Sequence, residues 1–310
     1  MTDSAPPSPP TIGVFDSGFG GLTVLRALIE RLPAARYAFL GDTARLPYGS
    51  KSRRTIARYA AQSARFLVNE QGADFLVIAC NTASALALDA IQDAVSVPVL
   101  GVIEPGAEAA RAASRSGDVL VIATDATVQS HAYAAACQAR GLRGIEKACP
   151  LLVPLVEEGW TPSPAAALSF AAQAGVAPPQ GSQGAQVAVT AEVIRIYLAE
   201  LNAEAAAAGL HPDTLVLGCT HYPLLRALFE RAVPPGMSVI DSAEAAAQAA
   251  VRIFNTLPAS FGSPLPSVLA PPQVVEIRCF ATDSVEKFER LGSRFLERPV
   301  GKVELVDLGG

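Results

Sequence analysis

The chain has little lysine, little charge and no cysteine framework. Four of its 24 basic residues are lysine, and none of the four stands in a setting that suggests Schiff-base chemistry. Charged residues are 17% of the 310, with a formal net charge of −5. The arginines are scattered, so no basic stripe marks a nucleic-acid surface. No apolar run reaches the 18 or more residues that span a bilayer, so no membrane partner is expected. Residues 1–10, with the stretch Thr2-Asp-Ser-Ala-Pro-Pro-Ser-Pro-Pro10, have neither a cationic start nor an apolar core. They read as a disordered lead-in and not as a signal peptide. The five cysteines, at 80, 137, 149, 219 and 279, form no CxxC pair and no His/Cys cluster. That spacing favours free thiols in a reducing cytoplasm and gives no metal site.

What is abundant is apolar residue, 50% of the chain, much of it alanine. A chain of this length and composition can bury a large core, in two domains. Short apolar runs alternate with helical stretches. Strands are expected at 11–15, 37–40, 74–79, 97–101, 119–123, 214–217, 238–240 and 274–280. Helices are expected at 21–31, 52–70, 84–94, 104–113, 130–139, 188–207, 223–232, 242–254 and 284–295. The alternation predicts an α/β fold with parallel sheets built from βαβ units. Residues 160–164, 173–186 and 257–273, rich in Gly, Pro, Gln or Ser, read as surface insertions.

Two of the cysteines stand in near-twin settings. Phe75-Leu-Val-Ile-Ala-Cys80-Asn-Thr and Thr214-Leu-Val-Leu-Gly-Cys219-Thr-His each carry an apolar run, a small residue, the thiol and then polar groups. Each run reads as a buried strand with the thiol at its C-terminal end, where open α/β sheets hold ligands. Ile12-Gly-Val-Phe-Asp16-Ser-Gly and Val119-Leu-Val-Ile-Ala-Thr124-Asp are also alike. Each half then offers one strand–Asp/Thr turn and one strand–Cys turn, the layout of two related lobes facing a cleft. A thiol at a helix N-terminus gains thiolate character from the dipole and the free N–H groups. A free cysteine is also at home in a core as a small apolar residue, and Cys137, Cys149 and Cys279, which lack polar neighbours of this kind, are read so.

Other motifs surround this pair. Asp16-Ser-Gly-Phe-Gly-Gly21 is a glycine-rich turn between strand and helix, but matches no dinucleotide or Walker pattern. It is either a nest for a small anion or, through Asp16, a seat for an ammonium group. Gly41-Asp-Thr-Ala-Arg-Leu-Pro-Tyr-Gly49 is a loop placed to line a site or a bare turn. Pro154-Leu-Val-Glu157-Glu158 ends in a carboxylate pair whose default is solvent. His221, two residues past Cys219, can tune that thiol or donate to a substrate.

Together these motifs resemble the cofactor-independent glutamate racemases. The likeness runs through Phe15-Asp-Ser-Gly-Phe-Gly-Gly-Leu22, the 41–49 loop, Ala79-Cys-Asn-Thr-Ala-Ser84, residues 124–133, Val153-Pro-Leu-Val-Glu157 and Gly218-Cys-Thr-His-Tyr-Pro-Leu-Leu225, with a similar tail from Phe280. The resemblance implies two flavodoxin-like α/β domains related by pseudo-symmetry, with the active site in the cleft between them. The first domain would take 11–102 plus 241–310, and the second 103–240. By the same resemblance Cys80 and Cys219 are the catalytic bases, assisted by Asp16, Glu157 and His221, with Glu158 as the rival for Glu157. Asp16, Ser17, Tyr48, Gly49, Asn81, Thr82, Thr127, Thr220 and His221 match substrate-holding positions. A homodimer, no cofactor, glutamate as the small-molecule substrate and a role in supplying D-glutamate for peptidoglycan are also implied.

Racemisation requires a proton to leave one face of a carbon and another to arrive on the opposite face. Two like bases do this in both directions, one as thiolate and one as thiol. An ordinary cysteine titrates near about 8.5, so a modest downward pull supplies thiolate at neutral pH. Without a pyridoxal electron sink, donors on the α-carboxylate from Asn81, Thr82 and Thr220 must stabilise the carbanion. The family resemblance assigns D-glutamate to Cys80 and L-glutamate to Cys219. Racemisation of aspartate or a hydantoin, and a non-catalytic thiol-redox or binding protein on the same fold, are the competing readings.

Overall fold

The computed structural model describes residues 9–163, 181–256 and 275–309. The lead-in over residues 1–8 and the expected insertion over 257–273 lie outside them. Contacts divide the chain into one unit of Met1–Val102 with Ala246–Gly310 and another of Ile103–Ala245.

The first unit holds a six-stranded parallel sheet. Its strands are β1 (Thr11–Asp16), β2 (Arg36–Gly41), β3 (Phe75–Ile78), β4 (Val99–Gly101), β9 (Ile277–Ala281) and β10 (Val303–Leu305), in the order β10-β9-β2-β1-β3-β4. Every residue of β1 and β3 is buried, as expected for central strands covered on both faces. Between them run α1 (Leu22–Arg31), α2 (Arg53–Arg65), α3 (Asn81–Leu86) and α4 (Leu88–Ala94). Ser52 caps α2 by accepting from the Thr55 amide at 3.3 Å, the usual way to satisfy a first-turn donor. The helix expected over 52–70 ends its α-helical part at Arg65 and continues as a π turn over Phe66–Glu70. The helix expected over 84–94 is two helices, broken at Ala87, and the first begins at Asn81 directly after Cys80.

The second unit holds a four-stranded parallel sheet of β5 (Asp118–Ala123), β6 (Arg143–Ala148), β7 (Thr214–Gly218) and β8 (Ser238–Asp241), in the order β6-β5-β7-β8. Its helices include α5 (Ile103–Ala113), α6 (Asp125–Ser130), α7 (Ala132–Gln138), α8 (Leu152–Glu157), α9 (Ser182–Ala207) and α10 (Arg226–Ala232). The expected helix over 130–139 is replaced by α6 and α7, which meet at His131 in the left-handed region, φ 54°. Part of the insertion expected over 173–186 is helical, since α9 starts at Ser182. Residues 160–163 are no loose insertion either. Thr161 and Pro162 are buried, and Thr190 Oγ1 donates to the Trp160 carbonyl at 2.7 Å.

The strand orders make the internal likeness concrete. In chain order, β1-β2-β3-β4 occupy the sheet as β2-β1-β3-β4, and β5-β6-β7-β8 occupy theirs as β6-β5-β7-β8. Each is the flavodoxin-like arrangement, in which the chain steps to one side of the first strand and then to the other. The switch points fall between β1 and β3 and between β5 and β7. Their C-terminal ends carry Asp16 and Cys80 in one unit, Thr124 and Cys219 in the other.

Candidate active site

In the first unit β1 stops at Asp16, which is 2% exposed. Its Oδ2 accepts from the Gly18 amide at 2.9 Å, so the carboxylate folds over the glycine-rich turn. Gly21 stands where no side chain fits: a Cβ there would lie 2.5 Å from Asp16 Cβ and 2.9 Å from Ala79 Cβ. Gly21→Ala is therefore expected to displace Asp16 and to cost about 1–3 kcal/mol. A thermal melt should show a Tm several degrees lower, and an unchanged Tm would refute this packing role.

Cys80 follows β3 and caps α3. The Ala83 amide donates to Sγ at 3.4 Å, and Ser17 Oγ lies 3.3 Å from Sγ. Both contacts favour the thiolate. Burial opposes them, the Asp16 charge adds to burial, and the thiol is pushed up to about 12. The expected downward pull of a helix N-terminus is present but loses to these two effects. Burial and the Asp16 charge thus favour the thiol form of Cys80. Asn81 and Thr82, both buried, form the first turn of α3 beside it.

Tyr48 is buried against Phe15, with ring centroids 6.2 Å apart. Its hydroxyl donates to Asp42 Oδ2 at 2.6 Å, and Thr282 Oγ1 donates to Asp42 Oδ1 at 2.9 Å. Burial raises the Asp42 carboxyl against these donors. The Tyr48 hydroxyl is thus committed inward, and Tyr48 begins a short 3-10 turn, Tyr48–Ser50, that includes Gly49. Asp42 and Thr282 escaped notice in the sequence. Asp42 lies in the quoted 41–49 loop, but nothing local says that it meets a residue 240 positions away.

In the second unit Cys219 follows β7 and begins a polar chain. Its Sγ lies 3.9 Å from His221 Nδ1, and His221 Nε2 lies 3.4 Å from Glu157 Oε1. Thr220 Oγ1 is 3.4 Å from the same Nδ1. Burial lowers the His221 pKa, but the contacts with Cys219 and Glu157 outweigh it and raise it to about 10. His221 is therefore an imidazolium at neutral pH, held between Cys219 and the Glu157 carboxylate. Helix α8 separates the Glu157-Glu158 doublet, since Glu157 reaches His221 while Glu158 is exposed. Thr127 is wholly buried, and its hydroxyl lies 3.0 Å from that of the half-buried Thr124. Tyr222 donates to the carbonyls of Ala123 and Cys149, both at 3.2 Å, tying the ends of β5 and β6 beside β7. Gly218 leaves room for the Tyr133 ring and the Ile122 carbonyl, each 2.9 Å from where a Cβ would stand.

Cys137, Cys149 and Cys279 are buried, and burial raises all three thiols. Cys80 and Cys219 differ from them in standing at switch points with polar partners. Among the described residues no cluster of His, Cys, Asp or Glu suits a metal ion, and no helix is long and apolar enough to cross a membrane.

Known proteins resemble this chain in sequence and fold. The family model described as Asp/Glu/Hydantoin racemase matches residues 12–250. A glutamate racemase of Koribacter versatilis is 48% identical, the match covering 97% of this chain and 98% of the relative. One from Syntrophus aciditrophicus is 42% identical, with 96% of each covered. The crystal structure of a glutamate racemase isoform from Bacillus anthracis superposes with a TM-score of 0.77 at 33% identity, covering 97% of this chain and 99% of that one. A Francisella tularensis glutamate racemase, solved with D-glutamate, gives 0.76 at 31% identity, covering 97% and 98%. By matched length, identity and fold, this chain belongs to the Asp/Glu/hydantoin racemase family.

Proposed function

We propose that the protein is an isomerase that interconverts L- and D-glutamate without a cofactor, using Cys80 and Cys219 as bases on opposite faces of one α-carbon. The observation that carries this reading is the pair of thiols at equivalent strand ends of two sheets with the same strand order. A reaction that runs equally well in both directions needs two like groups, and a repeated topology supplies them. The glutamate racemases at up to 48% identity favour glutamate over aspartate or a hydantoin.

The two thiols are activated differently. At Cys219 the neighbouring charge is the imidazolium of His221, steadied by Glu157. At Cys80 the neighbouring charge is the Asp16 carboxylate, which favours the thiol. A substrate ammonium beside Asp16 offsets that carboxylate's effect on Cys80, so substrate binding eases ionisation of the second thiol. Ser17 and the Ala83 amide then hold the anion. Asn81, Thr82 and Thr220 supply donors for the α-carboxylate as charge develops on it.

Incubation of L-glutamate with the protein in deuterated water, followed by NMR, tests the reading. We expect the α-proton signal to vanish while D-glutamate accumulates to an equal share, and dialysis against a chelator to leave the rate unchanged. Faster turnover of aspartate than of glutamate would move the assignment within the family. Absence of α-exchange on any of these substrates, with a Cys80–Cys219 disulfide forming on oxidation, is the outcome of the thiol-redox alternative. Supply of D-glutamate to peptidoglycan, a cytoplasmic location and a homodimeric state belong to the same proposal, the last being open to sedimentation analysis.

A further inference from the structure

The two strand pairs set their thiols in comparable registers. In the first unit Phe15 of β1 pairs with Ile78 of β3. Two residues on, Ser17 stands level with Cys80, and the pair is in contact at 3.3 Å. In the second unit Ala123 of β5 pairs with Gly218 of β7. One residue on, Thr124 stands level with Cys219. Both hydroxyl residues leave the strand that neighbours the thiol's own strand, at the same switch point of the same strand order.

We propose that Thr124 is the hydroxyl partner of Cys219, the counterpart of Ser17 at Cys80, and that it donates a hydrogen bond to the Cys219 thiolate during turnover. Neighbouring parallel strands run about 4.8 Å apart, so level side chains as short as Thr and Cys are within reach of each other. Thr124 is half-buried and its Oγ1 shares a hydrogen bond with Thr127 Oγ1 at 3.0 Å. Thr127 is 0% exposed, so it lies behind Thr124 and can accept or donate as the outer hydroxyl turns. Thr127 thus acts through Thr124. The equivalence also accounts for a difference between the sites. The residue level with Asp16 in the second unit is Ala123, which carries no charge, and the charged neighbour of Cys219 comes instead from its own loop as His221.

This inference rests on the racemase reading, and the test separates the two. Wild type, Thr124→Val and Thr124→Ser are assayed with L- and D-glutamate, and the primary deuterium isotope effect on kcat/KM is measured for each α-deuterated enantiomer. A hydrogen bond to a charged group is worth about 1.5–3 kcal/mol, which converts to about a 10- to 150-fold loss of kcat for the valine variant. The serine variant, which keeps the hydroxyl, should stay within about fivefold of wild type. The isotope effect should rise in the valine variant for the enantiomer that Cys219 deprotonates and not for the other, whereas Ser17→Ala should show the reverse. Wild-type rates in the valine variant, equal losses in both Thr124 variants, or an isotope effect that rises equally for both enantiomers overturn the role given to Thr124. A wild-type protein that does not racemise glutamate overturns the parent reading instead.

Discussion

Cys80→Ala and Cys219→Ala are each expected to lower racemisation by at least about 10³-fold while the fold persists. Each substitution removes one sulfur and leaves its surroundings intact. At Cys80, Ser17 and the Ala83 amide remain but have no anion to hold. At Cys219, the His221–Glu157 pair remains without its thiol. Deleting one small buried atom costs little packing, so the circular dichroism spectrum and Tm should change little. The two losses should be similar, because one missing base blocks inversion from either side. Cys137→Ala, Cys149→Ala and Cys279→Ala leave the switch points untouched and should keep activity within a few-fold. Full turnover in either the Cys80 or the Cys219 variant would end the two-base mechanism.

The second large effect is expected at His221. Asparagine keeps a polar group of similar reach but cannot carry charge, so His221→Asn should lower kcat by about 10- to 10²-fold. Glu157→Gln should act in the same direction but less strongly, and Glu158→Gln should leave kcat unaltered. The same histidine predicts a pH dependence of stability. Its folded pKa is raised, to about 10, from an ordinary value near 6.5. A raised basic group contributes stability that is full below the unfolded value and is lost as pH rises through the folded one. Wild-type Tm should therefore fall between about pH 6.5 and pH 10 more steeply than the Tm of His221→Asn. Parallel Tm curves for the two proteins across that window would show that the imidazolium contributes nothing to folding.

Much of this was legible in the chain because central parallel strands advertise themselves. Thr11–Asp16, Phe75–Ile78, Asp118–Ala123 and Thr214–Gly218 are buried along their whole length, so each reads as an unbroken apolar run. Arg143–Ala148 does not, because it is an edge strand with half-buried residues and charges on its sequence. Val303–Leu305, the opposite edge of the other sheet, was hidden in the same way, with two of its three residues exposed. Helices were legible as existing but not in their breaks. Ala87 and His131 interrupt patterns that remain apolar across the interruption, and periodicity carries no mark of a local turn in φ and ψ.

The sequence by itself determined the fold class, the matched settings of Cys80 and Cys219, and the polar residues that follow each thiol, because strand burial and the strand-to-helix turn are written in contiguous residues. Tertiary structure decided what those residues touch. It chose Glu157 over Glu158 through the contact with His221 and turned the Tyr48 hydroxyl inward to Asp42. It also set Asp16 and burial against the thiolate at Cys80 while placing an imidazolium beside Cys219. Each of these depends on desolvation or on a charge brought close from another part of the chain. Such effects follow distance in space, which a local run of residues does not record.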